Sequence, residues 1–192
     1  MKERPILFKG EMVRAILAGT KTQTRRVADI IWDTSKHWGG YDCWTFRKRG
    51  KPMIGFSTRN SGQNTLVHHC PHGAPGDLLW VREMFAMESP TCAVYLADQD
   101  DKTVVERWKP SIHMPRKLSR LTLEIVSVRV ERLQDIKEQD AKAEGVEASK
   151  SVEMKDGSAC YTTPYQKLWN QINGCDAWDK NPWVWVIEFK KL

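Results

Sequence analysis

Residues 119–133 limit most severely what this chain can fold into. Leu121, Leu123 and Ile125 alternate on one face of an extended backbone, and then Val126, Val128 and Val130 carry the alternation on the other. A period of two sustained this long excludes a helix, and a change of phase midway requires a bulge or a strand that passes between two buried environments. Strands turn corners in small barrels in this way. A second strand, Trp183-Val184-Trp185-Val186-Ile187-Glu188-Phe189, is nearly all apolar. It is therefore expected to be covered on both faces, or to close a barrel beside the first strand, Arg4 to Phe8. Shorter strand signals lie at 78–81 and 92–97, and hairpin pieces at 44–46 and 53–56.

Helices are few and short. Met12, Val13, Ile16 and Leu17 share one face of an amphipathic segment that stops at Gly19. A second helix is expected over 134–146, capped by Asp135 and ended by Gly145, and a third over 164–174. Residues 147–163 read as a polar loop. Pro110 and Pro115 make 108–116 an extended surface run, anchored by Trp108 and Met114. No repeat or linker divides the chain, so residues 1–192 are expected to form one domain, with an inserted hairpin region at about 28–68.

A formal charge of +6 and a pI near 9.1 favour an anionic partner such as nucleic acid. Nine tryptophans against five phenylalanines and four tyrosines supply rings that could stack on bases or fill a core. The five cysteines include no CxxC pair, and Met-Lys-Glu-Arg-Pro opens without an apolar signal region. A cytoplasmic location and no membrane association are the expectations. His68-His69-Cys70-Pro71-His72 carries metal-ligand residue types but lacks the separated second ligand pair of structural zinc sites. No metal or cofactor is expected.

The densest polar chemistry follows the first helix, in Gly19-Thr20-Lys21-Thr22-Gln23-Thr24-Arg25-Arg26. On a straight strand Lys21 and Thr24 would face opposite ways, whereas a bend lets positions i and i+3 meet. A lysine whose pKa is lowered by burial can take the proton of a threonine hydroxyl, making it a nucleophile. Arg25 and Arg26 would suit an oxyanion or phosphate. A solvated basic loop is the plainer alternative. Glu83, after Arg82 at the end of the 78–81 strand, could supply a carboxylate at the mouth of a cleft. Arg47, Lys48 and Arg49, set between aromatic residues, suit a nucleic-acid backbone.

Together these stretches resemble the ASCH domain family of the PUA-like superfamily. The resemblance is carried by the glycine-ended helix before Lys-Thr-Gln-Thr-Arg-Arg, by Pro75-Gly76-Asp77 before an apolar strand ending in glutamate, and by Pro182-Trp183-Val184-Trp185-Val186-Ile187-Glu188-Phe189. The segments Cys70-Pro71-His72-Gly73, Pro110-Ser111-Ile112-His113-Met114-Pro115 and Arg132-Leu133-Gln134-Asp135-Ile136 are similar to the branch found in phages and prophages. The resemblance implies an α+β fold, a small and partly open PUA-like β-barrel of mixed strands with a few short flanking helices. It also implies RNA or a modified nucleoside as partner. Some members remove the acetyl group of N(4)-acetylcytidine with a lysine, a threonine and a glutamate, and these fall on Lys21, Thr24 and Glu83. Arg25, Arg26, Arg47, Lys48, Arg49 and Arg82 would hold nucleic acid or phosphate. A non-catalytic RNA-binding module, or a ribonuclease, is the alternative.

Overall fold

The structure is a computed structural model that describes residues 1–28, 41–48, 51–58, 66–89, 92–99, 105, 107–149 and 159–192, with the strands at 41–48, 51–58 and 66–69 described by their backbone alone. In chain order the strands are β1 (Glu3–Leu7), β2 (Gln23–Val27), β3 (Tyr41–Lys48), β4 (Lys51–Thr58), β5 (Leu66–His69) and β6 (Leu78–Arg82). They continue with β7 (Phe85–Met87), β8 (Ala93–Tyr95), β9 (Thr122–Arg132) and β10 (Trp183–Lys191). The helices are α1 (Gly10–Leu17), α2 (Glu138–Ala143) and α3 (Thr162–Asn173).

Five strands form one mixed sheet in the order β1-β6-β9-β10-β2, in which only β1 and β6 run parallel. β3, β4 and β5 form a separate antiparallel sheet, and β7 pairs with β8. This is an α+β architecture, and the main sheet is open, with β1 and β2 at its edges. Pro5 lies on β1, where an edge strand tolerates the missing N–H.

The change of phase in β9 is a β-bulge. Ile125 opposes Phe189 and Ser127 opposes Glu188, so Val126 has no partner on β10. Ile125 is fully buried and Val126 is 52 % exposed, so the extra residue is turned outward while the apolar residues before and after it face the interior.

β10 is covered on both faces. Trp185, Ile187 and Phe189 join Ile6, Phe8, Val13, Ile16, Leu123 and Ile125 in one core. Val184 and Val186 join Leu133, Ala141, Tyr165 and Trp169 in a second. Each fully buried aliphatic side chain contributes about 1.5–3 kcal/mol, so a strand feeding two cores is the stabilising centre of the sheet. β10 does not lie beside the first strand, as the closed arrangement required. It sits between β9 and β2, while β1 pairs with β6 at the far edge. A strand covered on two faces gains most from two neighbours, whereas a five-residue strand with a proline suits an edge.

The expected helix over 134–146 divides. Leu133–Asp135 form a 3-10 turn, Ile136 is extended and buried, and α2 begins only at Glu138. α3 begins at Thr162, where the Glu138 carboxylate accepts from the Tyr161 amide (2.5 Å), the Thr162 amide (3.2 Å) and the Thr162 hydroxyl (2.5 Å). The first-turn amides of α3 are thus satisfied from another helix. Among the described residues no helix is long and apolar enough to cross a membrane.

Candidate functional site

The site begins at the turn after α1. Gly19 takes φ +76°, and the amides of Thr20 and Lys21 both return to the Ala15 carbonyl (2.9 and 3.1 Å). The Thr22 amide then donates to the Ala143 carbonyl (2.9 Å), docking the turn on the end of α2. Gly145 closes that junction. At φ +81° it leaves room where a Cβ would stand 2.8 Å from Lys21 Cβ and 2.9 Å from Ala15 Cβ.

This turn carries the Lys21 side chain inside, where it is 2 % exposed. Its three ammonium hydrogens have three acceptors, each at 2.8 Å: the Gln23 carbonyl, the Glu144 carbonyl and Glu144 Oε2. The other oxygen of Glu144 accepts from Arg25 Nη1 (3.1 Å). Burial holds the Lys21 amine below the ordinary lysine range against the opposing pull of Glu144, and the charges of Arg26 and Arg25 act in the same sense as burial. The buried Tyr165 phenol is raised well above its usual value, first by burial and then by the Glu144 charge.

Arg25 has no exposed side-chain surface. Its Nη2 donates to Glu131 Oε1 (2.5 Å) and lies 3.7 Å from Asp140 Oδ2. With its amide oxygen turned toward Arg25, Gln23 accepts from both Nη atoms (2.5 and 3.2 Å) and donates to Asp140 Oδ1 (3.3 Å). Arg25 is therefore an internal tie, not a free anion-binding arm. A guanidinium is used in this way where several carboxylates must be held in a plane.

The register of β2 on β10 places Thr24 opposite Ile187, Arg25 opposite Val186 and Arg26 opposite Trp185. Directly opposed residues share a face, so Thr24 and Arg26 lie on the Phe8 side while Arg25 lies on the α2 and α3 side. Lys21 Nζ reaches both sides. It bonds Glu144 on one and stands 5.6 Å from the Phe8 ring centroid on the other, with Arg26 Cζ 5.3 Å from that centroid. The amine is anchored on the carbonyl of the peptide that joins Gln23 to Thr24. Thr24 is 4 % exposed and its hydroxyl makes no hydrogen bond among the described residues.

Glu83 is not the carboxylate at Lys21. It is 1 % exposed and accepts from Arg120 Nε (2.9 Å) and Nη2 (3.0 Å), while Arg120 Nη1 also pairs with Asp98. Its strand ends beside a different cation, and the carboxylate that meets Lys21 is that of Glu144. The signal in the sequence was local: an acid at a helix C-terminus opposes the helix dipole unless a cation meets it. Glu83→Gln is expected to cost about 1–3 kcal/mol of stability, read by denaturant unfolding, and to leave the reactivity of the Lys21 site per folded molecule unchanged. Loss of that reactivity would return Glu83 to the site.

Arg82 is placed over Trp80, with Cζ 5.4 Å from the ring, and donates to the Ile112 carbonyl. Arg47 and Lys48 lie at the end of β3, where only the backbone is described, and Arg49 lies outside the described residues. The side chains of His68 and His69 are likewise outside them. Among the described residues no group of three or more His, Cys, Asp or Glu is arranged to hold a metal ion. Burial pushes the Cys70 thiol up to about 11, leaving it protonated at neutral pH.

Burial, with the charges of Arg26 and Arg4, pushes His72 down to about 4 from its ordinary 6.5. Between these values the unfolded chain binds a proton that the folded protein refuses, so stability present above pH 6.5 is lost as pH falls toward about 4. Urea midpoints measured across this window are expected to fall for the parent and to flatten for His72→Asn. An equal slope in both would remove His72 as the cause.

What the fold and the site define is an α+β protein with an internal amine–carboxylate–guanidinium cluster seated on the peptide that leads to Thr24, whose hydroxyl has no hydrogen-bond partner among the described residues. Comparison with protein-family models, with curated proteins and with solved structures finds no match.

Proposed function

We propose that the protein is an ASCH-type amidohydrolase of RNA-linked or nucleoside chemistry that removes the acetyl group of N(4)-acetylcytidine, with Lys21, Thr24 and Glu144 as its working groups. The observation that carries this reading is the buried Lys21 amine, saturated by Glu144 and two carbonyls and seated on the peptide that bears Thr24. A surface loop of solvated lysines and threonines would not bury an ammonium, because desolvating it costs several kcal/mol unless it is paired. The open mixed sheet agrees with a partly open PUA-like barrel, which belongs to the same proposal.

In the proposed reaction, Lys21 in its neutral form accepts the Thr24 proton as Oγ1 bonds to the acetyl carbonyl carbon. Burial favours that form, against the pull of Glu144. Lys21 returns the proton to the departing N4 amine as the carbon–nitrogen bond breaks, releasing cytidine and leaving acetylated Thr24. Water, deprotonated by the same amine, then bonds to the acyl carbon. The amine returns that proton to Thr24 Oγ1 as the carbon–oxygen bond breaks and acetic acid leaves as acetate. Glu144 fixes the direction of the amine and stabilises its protonated form. Incubation with N(4)-acetylcytidine, with cytidine and acetate read by mass, tests the reading. No release of either under single-turnover conditions would leave a non-catalytic RNA-binding module as the reading.

A further inference from the structure

One cluster of cations has no counterpart in the chemistry above. Arg25 is consumed by three carboxylates, but Arg26, on the face of Thr24, has no carboxylate partner among the described residues. Its Nη2 donates to the Leu7 carbonyl (2.6 Å), and its Nε is buried with no acceptor among the described residues. The Nε of Arg4 is in the same condition. Arg4, Ile6 and Phe8 alternate along one face of β1, and the Arg26 guanidinium lies over the Phe8 ring, so both arginines serve one side of the sheet.

His72 and Cys70 belong to the same neighbourhood. The charges of Arg4 and Arg26 both act on His72, which is held neutral, and that of Arg4 acts on Cys70, held as the thiol. Neither neutralises the arginines. The charge of Arg4 also acts on Asp77, whose oxygens are taken by the Lys2 amide (2.8 Å) and the Ala74 amide (3.3 Å). A buried N–H without an acceptor costs about 1–3 kcal/mol. The Nε atoms of Arg25 and Arg82 share that condition. Arg4 and Arg26 combine it with the lack of a carboxylate partner among the described residues and with a joint action on His72, and so mark a place for an incoming anion.

We infer that Arg4 and Arg26, with the His72 imidazole, form a phosphate subsite beside Thr24, so that the substrate is a cytidine carrying a phosphate and not the bare nucleoside. This rests on the amidohydrolase reading for the cytidine and on the unpaired arginines for the phosphate. Thr24 and Arg26 are two residues apart on one strand face, a span of roughly 7 Å. That is the scale separating a nucleotide's reacting group from its backbone. A phosphomonoester and an RNA phosphodiester present the same oxygens to guanidinium groups.

The full chain is titrated calorimetrically with cytidine, cytidine 5′-monophosphate and the dinucleotide CpC, and turnover is measured on N(4)-acetylcytidine with and without the 5′-phosphate. The phosphate-bearing ligands are expected to bind at least about tenfold more tightly than cytidine, with the advantage shrinking as salt rises. Arg4→Gln is expected to remove most of that advantage. Arg26→Lys tests the same point should Arg4→Gln fold poorly, since it keeps the charge and loses the planar fork. A preference for CpC assigns the phosphate to RNA, and a preference for the mononucleotide assigns it to a free nucleotide. Equal affinity for cytidine and both phosphorylated ligands overturns the subsite, whatever the turnover. Retained phosphate preference with no acetate from any substrate supports the subsite and dismisses the amidohydrolase.

Discussion

Glu144→Ala is expected to lower the free energy of unfolding by about 3–5 kcal/mol, because it strands the buried ammonium of Lys21 and removes one partner of Arg25. Glu144 is 4 % exposed, so water cannot enter to replace its oxygens without opening the junction between α2 and the turn after α1. The test is a double-mutant cycle by urea unfolding. Lys21→Met alone leaves Glu144 with Arg25, so its cost is expected to be smaller than that of Glu144→Ala. Combining Lys21→Met with Glu144→Ala is expected to recover part of the loss, since the uncompensated charge is then gone. Strict additivity of the two single changes would mean that the pair is not coupled.

Thr24→Val separates chemistry from stability. The change keeps the shape of a side chain that is 4 % exposed and opposite Ile187, and its hydroxyl has no partner to lose among the described residues. The folded protein is therefore expected to unfold within about 1 kcal/mol of the parent. Deacetylation of N(4)-acetylcytidine is expected to fall by at least about a thousandfold, because no atom remains to carry the acetyl group. Thr24→Ser, which restores a hydroxyl, is expected to restore measurable turnover. Unchanged turnover by Thr24→Val would falsify the nucleophile and leave Lys21 activating water directly.

Several elements were legible from local pattern. The bulge at Val126 followed from the phase of alternation, which depends only on neighbours along one strand. The ends of α1 and α3 at Gly19 and Gly174 followed from backbone freedom, since both glycines take positive φ. α2 was less legible. Its expected start at Asp135 gave way to a 3-10 turn because Leu133 and Ile136 are both drawn into the second core. Tertiary packing there overrode a capping signal.

The candidate site divides the same way. Lys21 and Thr24 could be singled out because one short segment holds both. Glu144 could not be assigned to them, since 123 residues separate it from Lys21. Only the docking of α2 on the turn, through the Thr22 amide and the Gly145 gap, brings them together. Arg25 and Arg26 are neighbours of identical type, yet strand alternation sends one into a web of carboxylates and leaves the other facing Phe8.

The amino-acid sequence by itself determined that β9 and β10 are strands, where α1 and α3 stop, and which segment concentrates reactive groups. These depend on periodicity and backbone freedom, which act over a few residues. The tertiary structure decided the strand order, the open edges and the carboxylate that meets each cation. Those depend on which distant surfaces cover one another, and a buried charge accepts whichever opposite charge that covering brings within about 3 Å.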